Sequence, residues 1–117
     1  MTHSLETLFS AWGNPSAEAR TALSEAVISP NITYCDPQTP DIIRGLDAYL
    51  AYITHFGDMM PGATARVVHI SEHNNHARAT VDFLRDGAAM MRGQYFAHMD
   101  GDQIQHLVGF PGMGDPA

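Results

Sequence analysis

Residues 63–110 read ATARVVHISEHNNHARATVDFLRDGAAMMRGQYFAHMDGDQIQHLVGF, and here the apolar pattern changes from a helical period to a period of two. Asn74-Asn75, Asp86-Gly87 and Asp100-Gly101 divide the stretch into strands predicted over 63–73, 77–85, 88–99 and 103–110. Asparagine, aspartate and glycine tolerate the positive φ that tight hairpins require. Strands joined in succession by such turns predict an antiparallel meander.

Upstream of this stretch the period is helical. Leu5, Leu8, Phe9 and Trp12 form one apolar stripe, and Gly13 stops it. Asn14 then offers an N-cap and Pro15 suits a first helical position, so a second helix is predicted through Ala22, Leu23 and Ala26 to near Ser29-Pro30. Residues 32–35 are short and β-rich, and Asp36-Pro37 ends them. A polar loop over 38–44 leads to Leu46, Tyr49, Leu50 and Ile53, a third helix closed by Gly57 and Pro61-Gly62. The tail from about residue 111 is expected to be flexible. Three helices followed by a bent antiparallel sheet is an α+β plan. Such a sheet, curled around a long helix, leaves a cone whose open end suits a small molecule.

Composition narrows the chemistry. The 117 residues fit one domain spanning 1–117, with 44% hydrophobic and 16% charged residues, an ordinary globular balance. Six basic against thirteen acidic residues give a net charge of −7, which disfavours nucleic acid as a partner. All the basic residues are arginine, so a lysine Schiff base and a P-loop lysine are excluded. Cys35 stands alone, leaving no internal disulfide and no thiolate-rich zinc site. No apolar run reaches the ~18 residues of a membrane span, and MTHSLETLF lacks a signal-peptide layout; a cytoplasmic protein is expected.

Three segments carry a resemblance to a known family: Thr33-Tyr34-Cys35-Asp36-Pro37; Gly45 opening Leu46-Asp47-Ala48-Tyr49; and Arg92-Gly93-Gln94-Tyr95 with Asp100-Gly101-Asp102-Gln103-Ile104. With the order of elements from about Leu5 to Phe110, they resemble the NTF2-like superfamily, in particular its SnoaL-like and ketosteroid-isomerase-like members. The resemblance implies an NTF2-like cone, with three N-terminal helices packed on a strongly curved antiparallel sheet, and a homodimer formed through the sheet's open face. It implies a small apolar or amphipathic ligand, no cofactor, and, where there is catalysis, proton transfer in an isomerase, cyclase or dehydratase. Asp36 falls where ketosteroid isomerases carry their carboxylate base. Trp12 and Tyr95 fall where they carry the tyrosine and protonated aspartate that face oxyanion charge.

The residues also have plainer readings. Asp36 is equally suited to ending a strand and bonding nearby N–H groups, and Trp12 and Tyr95 to filling a core. Tyr34 shares a strand face with Asp36 and is expected to line the pocket, positioning a ligand or the carboxylate. Phe56, Met59 and Met60 suit an apolar lip; Phe83, Met91 and Phe110 suit a pocket wall. His98 and His106 are acid/base candidates on the last two strands, with His98 counted outward from Tyr95 and His106 open to either face. His73 and His76 flank a predicted two-residue turn and His69 shares a face with His73, but no third ligand stands at a metal-site spacing, so no metal is expected. An acid–arginine–acid water relay through Asp36 and Arg44 or Arg92 is a minor alternative. Cys35 is expected to face away from Asp36. A proton-transfer enzyme, a non-catalytic carrier or sensor, and a dimeric interaction module all remain compatible with this sequence.

Overall fold

Residues 64–111 fold into the expected meander in the computed structural model, which describes residues 2–113. The elements are α1 (Ser4–Ser10), α2 (Ala17–Val27), β1 (Ile28–Cys35), β2 (Ile43–Arg44), α3 (Leu46–Met59), β3 (Thr64–His73), β4 (His76–Arg85), β5 (Ala88–Asp100) and β6 (Gln103–Pro111). Turn chemistry sets the first two hairpins: Asn74 and Asn75 sit at φ 49° and 65°, Asp86 and Gly87 at 53° and 78°. In the third only Gly101 takes positive φ, because Asp100 still pairs with Gln103.

The sheet is six-stranded and mixed, in the order β2-β1-β6-β5-β4-β3. β3 to β6 are antiparallel, whereas β1 runs parallel to β6, pairing Thr33 with His106 and Cys35 with Val108. Several boundaries differ from those read in the sequence. β1 begins at Ile28, directly after α2, and its register shifts between Ile28 and Thr33, where Pro30 cannot donate to the ladder. The stretch read as a polar loop contains β2, which pairs Ile43 with Tyr34 and Arg44 with Thr33. The cap of α2 is Ser16, whose hydroxyl accepts from Ala19 N–H, two residues beyond the expected Asn14. Gly57 lies inside α3, which runs to Met59. Of the predicted tail, β6 takes Pro111, and residues 114–117 lie outside the described residues.

The helices cover one face of the sheet, and an aromatic core fills the space between. Leu5, Leu8 and Phe9 are buried along α1, as their spacing requires. Trp12 follows at 3% exposure, with ring centroids of Phe56, Phe9, Phe83, Tyr34 and Tyr52 at 5.1, 5.5, 5.9, 6.0 and 6.1 Å. Gly13 makes the approach possible: a Cβ there would stand 1.9 Å from the Ala63 carbonyl oxygen, and its φ is 76°.

The outer sheet face carries no helix. Asp82, 3% exposed, lies between its register partners Arg66 and Arg92, and Arg92 donates to both carboxylate oxygens at 2.6 and 3.0 Å. Those hydrogen bonds hold the Asp82 carboxyl below the ordinary carboxylate range. Their stabilisation is therefore present above that range and fades as pH falls through the lowered value. Across the same face the register aligns His73, His76, His98 and His106 on β3 to β6, followed by Thr33 and Arg44. Phe96 and Phe110 stand beside this row, 41% and 53% exposed and packed edge to face. Among the described residues, no helix is long and apolar enough to cross a membrane.

Candidate functional site

β1 ends in the segment that builds the site. Asp36 caps the strand with an Asx turn: its Oδ1 accepts from the Gln38 N–H at 2.8 Å, and its backbone carbonyl accepts from Thr39 N–H at 3.1 Å. Tyr34, two residues earlier on the same strand face, donates its hydroxyl to Oδ2 at 2.5 Å. Tyr52 projects from α3 and reaches both oxygens, its hydroxyl 2.9 Å from Oδ1 and 2.7 Å from Oδ2. A carboxylate offers about four lone-pair positions, and these three donors occupy most of them.

The tyrosines around Asp36 stay protonated. Burial pushes the Tyr34 hydroxyl well above its ordinary range, and the neighbouring Tyr95 and Asp36 raise it further. Burial followed by the hydrogen bond to Asp36 raises Tyr52. Burial and then the charge of Asp36 raise Tyr95, with the Tyr34 hydroxyl bonding in the opposite sense. Each is therefore fixed as an O–H donor at neutral pH.

Asp36 and Tyr95 open onto one hollow of about 140 Å³ at the cone mouth, which Phe83, Met91, Gly93, Gly109 and Phe110 also line. Gly109 and Gly93 create the floor. A Cβ at Gly109 would stand 2.5 Å from the Tyr95 ring, and one at Gly93 would stand 2.8 Å from the Phe110 carbonyl oxygen. Tyr95 lies over bare backbone, boxed in by Phe9 at 4.8 Å and Phe83 at 6.3 Å between ring centroids.

The other expected site residues fall into separate places. Tyr34 stands behind Asp36 as its donor, fully buried. Trp12 lies deeper, and its one N–H donates to the Tyr49 hydroxyl at 2.9 Å, so it is not aimed at the hollow. Phe56 fills the core against Trp12 and Phe83. Phe110 reaches the rim while its ring packs on Phe96 outside. Met60 does not form a lip on this hollow; it follows α3 and lines a different surface depression with Gly13, Arg20 and Pro61. His106 does not line the hollow either. It occupies the outer face, hydrogen-bonded to the Thr33 hydroxyl, because Leu107 and Gly109 take the inward positions on β6. Arg92 is committed to Asp82, which removes it as a bridge to Asp36, and Arg44 sits on β2 across from Thr33. Among the described residues, no three histidine, cysteine, aspartate or glutamate side chains converge at a metal-holding distance.

Sequence reasoning missed Tyr52. It stands three residues after Tyr49 and four before Phe56, a spacing that reads as core stripe and gives no sign of a partner 16 residues away. Another hollow, about 550 Å³ and more polar, lies by the end of β3 and the β5–β6 turn around His3, Glu72 and Asp102. His3 caps α1 there: its Nδ1 accepts from Leu5 N–H, so Nε2–H donates to Glu72 at 2.5 Å. Both ring nitrogens are engaged in structure, leaving none for acid–base work.

The comparisons agree with this fold. A protein described as a proposed isomerase of the SnoaL-like family from Agrobacterium tumefaciens superposes with a TM-score of 0.84, at 22% identity over 94% of this chain and 95% of its own. A proposed ketosteroid isomerase from Kribbella flavida gives 0.70 at 16% identity, over 97% and 78% of the two chains. A proposed SnoaL-like polyketide cyclase from Jannaschia gives 0.72 at 12% identity, over 92% and 84%. At such identities the likeness shows the fold. No curated protein matches the sequence. The family model of the SnoaL-like domain matches residues 5–107, a span that holds α1, the Asp36 turn, the tyrosine donors and most of the meander, and this chain belongs to that family.

Proposed function

We propose that this protein binds a small, largely apolar molecule at the cone mouth, with Asp36 and Tyr95 forming the polar end of the site and Phe83 and Met91 its body. The observation that carries this reading is that Asp36 and Tyr95 line the same small hollow. Asp36 acts there as a fixed anchor. Its oxygens already accept from Tyr34, Tyr52 and the Gln38 N–H, which leaves little lone-pair density facing a substrate proton. Tyr95 supplies a hydroxyl to a carbonyl or hydroxyl on the ligand.

The second reading is cofactor-free proton transfer within such a ligand, with Asp36 as acceptor and Tyr95 facing the developing oxygen charge. It is supported by the shared hollow and by the isomerase and cyclase descriptions of similar folds. A panel of small cyclic ketones in heavy water separates the two readings. The anchor reading expects binding without accelerated exchange of the protons beside the carbonyl, and weaker binding in Asp36→Asn. Accelerated exchange that disappears in Asp36→Asn while affinity holds would establish proton transfer instead. Absence of binding by any compound contradicts both.

We also propose that a second copy covers the outer sheet face. The exposed Phe96 and Phe110 pair, on a face without helices, supports this assembly.

A further inference from the structure

We propose that the ligand of the mouth hollow carries a quaternary alkylammonium head, seated between Asp36 and the rings of Phe83 and Tyr95. This rests on the binding reading above and names the chemical class of its ligand.

The first argument is an uncompensated charge. Asp36 has no basic partner; among the described residues the ion pairs are His3 with Glu72 and Asp82 with Arg66 and Arg92. The negative charge is steadied only by the dipoles of two hydroxyls and one N–H. Arg92 stands in the lining of the same hollow, but its guanidinium donates to Asp82 through Nε and Nη2. A half-buried anion beside a hollow and lacking a counter-ion favours a cation in that hollow and disfavours an anion.

The second argument concerns which cation. A primary ammonium needs three acceptors, and the carboxylate has few lone pairs left to offer. A fully alkylated head donates no hydrogen bonds. It is attracted through the field of the carboxylate and through aromatic faces, and it spreads its charge over methyl groups that pack on apolar walls. The hollow supplies such walls: Phe83, Met91 and Tyr95, with Met91 able to adjust to the head's shape. The hollow is small, about 140 Å³, so the head it takes is compact. The net charge of −7 favours encounter with cations.

The test is a pair of probes of one shape. Choline and 3,3-dimethylbutan-1-ol differ in a central nitrogen against carbon, hence in one charge. Each is titrated against the full chain while the amide resonances of Gly93, Gly109 and Phe110 are followed. Choline is expected to bind at least about tenfold more tightly, a difference within reach of one desolvated charge contact. That advantage is expected to vanish in Asp36→Asn and to shrink in Phe83→Leu, which keeps an apolar wall but removes a ring face. An alcohol that binds as tightly as choline overturns the proposal, as does a choline preference that survives Asp36→Asn. Cyclohexanone provides the control for the underlying reading. If it shifts these amides and choline does not, the charge assignment fails and the hollow stands as a neutral-ligand site. If none of the three compounds shifts them, both fail.

Discussion

Trp12→Ala is expected to destabilise the fold by about 3–5 kcal/mol, the range measured when a buried tryptophan or phenylalanine is cut to alanine. Set against total stabilities of about 5–15 kcal/mol, the loss leaves a small domain near the edge of folding. The magnitude follows from position. Trp12 is the hub on which Phe9, Tyr34, Tyr52, Phe56 and Phe83 converge, and its N–H satisfies the buried Tyr49 hydroxyl. Removing it empties a volume that rings already packed on other partners are poorly placed to refill, and it strips Tyr49 of its donor. Urea denaturation of the variant checks the figure. A cost under about 1 kcal/mol would mean that the core collapses freely around the gap, contrary to the packing described.

Gly109→Ala is the smaller change with the more specific consequence. The added methyl would stand 2.5 Å from Tyr95 Cε2 and 3.0 Å from Cδ2 and Cζ, so the ring must leave its seat. Phe9 and Phe83 close the routes by which it would move. Overpacking of this kind costs about 1–3 kcal/mol. It also displaces Tyr95 from the lining of the hollow, so under the proposed binding, ligand affinity is expected to fall with stability. A double-mutant cycle isolates the cause: in a Tyr95→Leu background, Gly109→Ala is expected to cost much less, because the ring it strikes is gone. An equal cost in both backgrounds would place the strain elsewhere.

The sheet was legible because two independent signals coincide in residues 63–110. Alternation defines strands, and Asn74-Asn75 and Asp86-Gly87 define where they turn. The parallel pairing of β1 with β6 has no such local signature. It joins residues more than seventy positions apart, and Pro30 interrupts the only pattern that would have extended the strand back to Ile28. Two-residue β2 is too short for any period to show.

Of the residues singled out in the sequence, some meet at one hollow and others do not. Asp36 and Tyr95 reach one hollow, and Phe83 lines it, because strand alternation carries their direction reliably. For Met60 and His106 only residue type and neighbourhood point to a pocket, and periodicity gives a face without naming what it faces. Met60 follows α3 onto another depression, and His106 joins a histidine row on the outer face. Tyr52 bears directly on what Asp36 is able to do, yet it escapes detection because a helix stripe looks the same whether its tip meets a carboxylate or a methyl group. The most consequential difference between sequence and structure lies there. Reading Asp36 alone suggests a base; in the structure Tyr34, Tyr52 and Gln38 already donate to its carboxylate, which favours the proposed anchor role.

The account depends on the cone mouth being where this protein holds its ligand, and amide chemical-shift mapping with a library of small fragments tests that most directly. Perturbations clustered at Gly93, Tyr95, Gly109 and Gln38, and erased together in Gly109→Ala, are the predicted result. Shifts concentrated around His3, Glu72 and Asp102, with the Asp36 turn silent, would contradict it.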